Sequence, residues 1–256
     1  MRLFKILSFV LLLSISAAPY AQAEKDTPKK ILKDSLYKSL NKISKEKKYP
    51  LVMQNIQTRL NAPYSSRDDL NVVMFWLRDH YLYDNGDPKF GLSYIQFLES
   101  LARSMKQSSP EQSHELKMNS IIHYFVTEYF LQSDLAICVD QTAGANTREQ
   151  LDKMRQNYQR AFMALKPEDK EHAYKTIFSS IDESKCRHAY SDVCKSGVVH
   201  MQKVLESGKY QEGLSTKNGD KYIDDNVPVD VVDATTWEKR NNALYNTLQN
   251  NLLALQ

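Results

Sequence analysis

The most reactive side chains of this 256-residue chain are its three cysteines, Cys138, Cys186 and Cys194. Each could serve as a metal ligand, a nucleophile or half of a disulfide. Cys186, His188, Cys194 and His200 pool thiols and imidazoles of the kind zinc takes. Their separations of two, six and six residues fit no usual ligand spacing, and positions two apart on a helix face different ways. No metal is expected there. Cys138 with a distant histidine and Asp140 as orienting acid would make a thiol hydrolase site. Cys138, however, follows a long apolar helical run, and the negative end of a helix disfavours a thiolate.

A disulfide is then the leading chemistry, and geometry ranks the pairings. If the chain from Glu168 to Cys194 is one helix, Cys186 and Cys194 lie about 12 Å apart along its axis. A disulfide needs α-carbons within about 7 Å. That pair forms only if the helix breaks near Tyr190 and Ser191. Cys138 and Cys194 instead fall at the ends of two helices running in the same direction, so their pairing is favoured and the Cys186–Cys194 link is the alternative. Asp140, His188 and His200 remain as polar candidates for a ligand near that end.

Other constellations offer less. The chain has no Gly-x-Ser-x-Gly elbow, Walker loop, dinucleotide fingerprint or His-Glu-x-x-His pair, which argues against the families built on them. Asp79 with His80, and His123 with Glu128, are offset by one and five residues and do not meet squarely on a helix. Asp220, Asp224, Asp225, Asp230 and Asp233 lack EF-hand spacing and read as a solvated loop. No cofactor, metal or catalytic set is expected. Among fifteen tyrosines, Tyr81 and Tyr83 fall with Phe90 around one turn and could form a contact patch.

The elements that must position these residues are helices. Seven glycines in the whole chain leave little material for hairpins. Leu32, Leu36, Leu40 and Ile43 make one helical stripe, and Pro50 opens a second helix. Ser66 caps a third, through "LNVVMFWLRDHYL", which is apolar on more than one face and reads as the central core helix. Further helices are expected from about Pro88 to Lys106, Pro110 to about Val139, a Thr147 cap to about Leu165, Pro167 to about Cys194, and Val198 to Leu205. A Thr235 cap opens the last. The segment 207–234 has no helical period and reads as one long loop, extended at most near Val227 to Val232. The expected fold is all-α: an irregular antiparallel bundle of about eight or nine helices. One hairpin, "FWLRDHYLYDNGDPKFGLSYIQFLESLA", resembles those of Sel1-like or tetratricopeptide repeats. It has no second copy, so no repeat array is expected.

The N-terminus reads as a secretory signal peptide: Arg2 and Lys5, an apolar run, then Ala21-Gln22-Ala23 as the cleavage site. The run is short of the roughly 20 residues of a membrane span, and Pro19 interrupts it. The expected organisation is a leader over 1–23, a basic amphipathic helix over 24–48 and a single helical domain over 49–256. Loss of Arg2 and Lys5 with the leader lowers the net charge of +3 to +1. Nine lysines against four acids in 24–48 suit a solvated face, or contact with an anionic surface through Lys29, Lys30, Lys33, Lys38 and Lys42. The absence of arginine from 24–48 and the lone aromatic Tyr37 speak against nucleic acid. The expected protein is periplasmic or secreted, not integral to a membrane, and works by binding a protein partner without catalysis of its own. A hydrolase with a motif-less acid and histidine site, or a carrier of an apolar ligand, is the competing expectation.

Overall fold

The structure is a computed structural model that describes residues 35–46, 49–60, 67–83, 87–184, 188–207, 210–212, 223–225 and 227–256. Residues 1–23, Lys29, Lys30, Lys33 and Cys186 lie outside the described residues. Among those described, nine α-helices dominate: α1 (Ser35–Glu46), α2 (Tyr49–Leu60), α3 (Arg67–Leu82), α4 (Lys89–Met105), α5 (Pro110–Ala136), α6 (Ala145–Met163), α7 (Pro167–Glu183), α8 (Val198–Ser207) and α9 (Ala234–Leu253). The all-α, multi-helix fold is therefore as the periodicity dictates. No helix among the described residues is long and apolar enough to cross a membrane.

The chain packs as two compact units, each discontinuous in sequence. Among the described residues, the first takes those up to Thr127, those within Arg160–His188 and Gln256; the second takes those within Glu128–Gln159 and Ala189–Leu255. Helix α1, the described part of the segment 24–48, packs on α2 and α3 within the first unit.

In the first unit α3 is the core helix, burying Val72, Val73, Trp76, Leu77, Tyr81 and Leu82. Its apolar residues occupy more than one face because α1, α2 and α4 all pack on it. Phe90, Ile95 and Leu98 of α4, Ile121 and Ile122 of α5, and Tyr37 and Leu40 of α1 add to the same interior. A proposed contact patch on Tyr81, Tyr83 and Phe90 is not formed. Tyr81 is 0% and Phe90 3% exposed, because the aromatic bulk that suggested a recognition surface is taken up by helix packing.

Several element ends differ from expectation. Helix α6 starts at Ala145, with the Arg148 N–H donating to the Gly144 C=O at 2.9 Å. Thr147 thus lies inside the first turn, and Gly144 at φ 71° supplies the left-handed residue that leads into it. Helix α7 stops at Glu183, and a separate 3-10 turn, Ser191–Ser196, carries Cys194. The last helix is capped by Asp233, whose carboxylate accepts from the Thr236 N–H at 2.9 Å and the Thr236 hydroxyl at 2.8 Å; Thr235 lies two residues further along, inside the first turn. The segment 207–234 is not wholly loop: β1 (Tyr210–Glu212) pairs antiparallel with β2 (Ile223–Asp225), Gln211 opposite Asp224.

Candidate functional site

Several polar side chains of the first unit bond to one another within its core. Tyr37 donates to Asp79 Oδ2 at 3.0 Å, and the Arg78 guanidinium reaches Asp79 Oδ1 at 2.7 Å. Both Arg78 and Asp79 are 8% exposed, a burial that charged side chains tolerate only as a hydrogen-bonded pair. His123 is fully buried against the Tyr81 hydroxyl. Burial first, then the nearby Arg78 charge, pushes its pKa down to about 3. Burial likewise raises Tyr94 to about 12. His123 is therefore neutral, and these groups form an enclosed polar layer.

The second unit gathers its chemistry where α5 ends. Cys138 and Cys194 form the disulfide, with α-carbons 5.4 Å apart and both side chains buried. Leu135, Ala143, Ile137, Val193 and Val229 pack around it. The Cys194 thiol is thus spent in a bond and is no zinc ligand. The pairing favoured from sequence is the one present, although the helix leading to Cys194 is broken.

Asp140 organises the surroundings. Its Oδ1 accepts from the Thr142 N–H at 2.9 Å and the Thr142 hydroxyl at 2.6 Å, and its Oδ2 accepts from the Val199 N–H at 2.8 Å. The Thr142 hydroxyl accepts in turn from the Val198 N–H at 2.8 Å. The first amides of α8, which have no partner within their own helix, are capped by residues nearly sixty positions earlier. The Thr142 hydroxyl bond, followed by backbone amides, holds the Asp140 carboxyl below its ordinary pKa. Gly197 is glycine for a steric reason: a Cβ there would overlap the Asp140 carboxylate. The Gly144 N–H also crosses to this turn, donating to the Ser196 hydroxyl at 2.8 Å.

A third strand of chain completes the end. Val139 N–H donates to Asp230 C=O at 3.2 Å and Val232 N–H to Ile137 C=O at 2.8 Å, forming one antiparallel bridge, Cys138 opposite Val231. Arg240 of α9 donates to the Ala136 C=O at 2.8 Å and the Cys138 C=O at 3.3 Å. It places a cation on the carbonyl end of α5, where the helix dipole favours one. Trp237 Nε1 donates to the Ser133 C=O at 3.0 Å. Between these segments lies a cleft of about 100 Å³ lined by Val139, Asp140, Cys194, Val199, His200, Lys203 and Asp230. Lys203 and Asp230 are paired across it.

Of the polar candidates read from sequence, Asp140 and His200 meet at this cleft, whereas His188 is exposed and belongs to the first unit. Lys38 and Lys42 are exposed on α1. Sequence reasoning misses Lys203 and Arg240 and reads Asp230 only as part of a solvated loop; their contacts join segments far apart in the chain. It also misses the apolar surface around the cleft. Val198, Met201 and Leu205 of α8 are 63%, 46% and 62% exposed, and Val139, Val199 and Val231 are between 44% and 53%. The i, i+3, i+7 spacing of the first three was the available signal, and it ordinarily marks a core face. No family model, curated protein or solved structure matches the chain.

Proposed function

We propose that the protein is an exported binding module that holds a protein partner on the apolar surface around α8, without catalysis of its own. The observation that carries this reading is where the exposed large apolar residues fall. Among the described residues there are nine, and six of them are Val139, Val198, Val199, Met201, Leu205 and Val231. They sit on α8 or on the two segments bonded beside it. Grouped apolar side chains with Asp192, Lys195, Lys203, Glu206 and Asp230 nearby in the chain suit an interface with an apolar centre and a polar rim. A hydrolase at the same cleft is less well supported. The oxygens of Asp140 serve the amides of α8 and the Thr142 hydroxyl, and the cleft is well below the 300 Å³ or so of a small-molecule pocket. Export is supported by the leader-like N-terminus, and the disulfide is compatible with an oxidising compartment. Exposed Lys38 and Lys42 favour a secondary contact with an anionic surface.

The test is capture from envelope and medium fractions with the wild type and with a V198K/M201K/L205K triple variant. A partner retained by the wild type and lost by a triple variant that melts normally supports the reading. Equal retention by both, or turnover in a hydrolase screen with no partner, rejects it. The mass of the exported protein reports cleavage near Ala23.

A further inference from the structure

The bridge between Cys138 and Val231 has two edges, and they are treated differently. The Cys138 edge is closed: its N–H donates to the Leu135 C=O at 3.2 Å, and its C=O accepts from Gln141 Nε2 at 3.3 Å and from Arg240. The inward bonds of the opposite segment belong to Asp230 and Val232. In an antiparallel pair of this kind, the N–H and C=O of Val231 must then point to the outer side. Val229, two residues earlier, packs on the cluster that contains Cys138. That is the alternation of an extended chain, so its N–H and C=O share the outer side. Among the described residues none bonds to the Val231 N–H or C=O, and Val231 is 44% exposed.

We infer that this outer edge, Val229 to Val231, takes an extended segment of a partner protein as an added strand. The inference rests on the binding-module reading and names what that module recognises. The occupant follows from the edge itself. A row of alternating backbone donors and acceptors is matched by another extended backbone, whereas a helix has none to offer and a lipid chain has neither group. Side chains set the register. Val229 and Val231 lie on the face of Cys138, and Asp230 lies on the opposite face with Val139 and Lys203. The partner strand therefore carries β-branched or other apolar residues toward the Val231 face, alternating with polar residues toward the Asp230 and Lys203 pair.

The test uses the full mature chain and a capped seven-residue peptide in which valine alternates with threonine. A second peptide carries N-methyl groups on the amides of its bonding edge. Binding is read by fluorescence anisotropy, and amide exchange is read residue by residue. The expected result is binding of the plain peptide below about 1 mM, slowed exchange at Val231, and no binding of the methylated peptide. Val231→Pro removes only an outward N–H, since the inward bonds use Asp230 and Val232, and should weaken binding about tenfold, the loss of one backbone bond. If V231P melts early, the methylated peptide and the Val231 exchange rate in the wild type carry the test alone. Equal affinity for both peptides, no protection at Val231, no binding at about 1 mM, or a wild-type dimer lost in V231P each overturns the proposal. A partner lost by the α8 lysine variant yet retained by V231P would leave the binding module standing without strand addition.

Discussion

Replacing Cys138 and Cys194 together by alanine should open the second unit from the end where α5 stops. The two residues are 56 apart in sequence. Closing a loop of that size in the unfolded chain costs about 4 kcal/mol at room temperature on the chain-entropy scale. Each side chain is also almost fully buried, at 1% and 2% exposure, so truncation forfeits roughly 1 kcal/mol of burial apiece. Against a typical total stability of about 5 to 15 kcal/mol, the loss is large. With a urea slope of about 2 to 3 kcal/mol per molar, the unfolding midpoint should fall by roughly 2 to 3 M. The loss should also be local. The disulfide holds the 3-10 turn against the chain that caps α8, so amides at Gly144, Val199 and Val232 should lose exchange protection first. Those at Ile122 and Val126, buried in the first unit, should keep theirs at low denaturant. Oxidised and reduced wild type, compared in the same urea series, separate the link from the truncated sulfurs. A midpoint lowered by less than about 0.3 M, or protection lost evenly across both units, would refute the reasoning.

Other perturbations follow from the same contacts. Gly144→Ala forces a side chain into a left-handed residue at φ 71° and against Leu135; thermal melts should show a loss of about 1 to 3 kcal/mol. Asp140→Ala leaves the first amides of α8 uncapped and should cost about 1 kcal/mol, with faster exchange at Val199 and His200. Because the Asp140 pKa is lowered by folding, its contribution is present above the ordinary carboxylate pKa and is lost as pH falls below it, a dependence that Asp140→Asn should abolish. His123, held neutral with a pKa of about 3, stabilises fully above about pH 6.5 and progressively less as pH falls toward 3. The slope is up to about 1.4 kcal/mol per pH unit. In His123→Gln the acid limb of urea midpoints between pH 6 and 4 should flatten. The Thr127 hydroxyl is buried without a hydrogen-bond partner, so Thr127→Val should raise stability by about 1 kcal/mol, and an unchanged or lower melting temperature would contradict this.

The helices were readable because amphipathic spacing and capping residues act within a few positions of one another. The three-residue shift at the start of α6, the stop at Glu183 and the displaced cap at Asp233 all lie at element ends, where a side chain or turn from elsewhere wins the competition for a few amides. The patch expected from Tyr81 and Phe90 failed for a related reason. An aromatic side chain looks the same in sequence whether it meets solvent or a neighbouring helix, and here α3 and α4 pack on each other.

The Cys138–Cys194 pairing marks the boundary between what the residues dictate and what folding adds. The rise along a helix disfavoured the Cys186–Cys194 link without excluding it, and the direction of successive helices favoured Cys138–Cys194. The actual path differs: α7 ends early, and Cys194 arrives on a 3-10 turn whose Ser196 hydroxyl accepts from the Gly144 N–H, ahead of α8 and its Asp140 and Thr142 caps. Helical propensity and apolar periodicity are local properties and were fully present in the chain. The Asp140 cap on α8, the Arg240 bonds to the end of α5 and the open edge at Val231 join residues many positions apart. Their energies exist only once the backbone has brought those segments together, so no pattern along the chain could announce them.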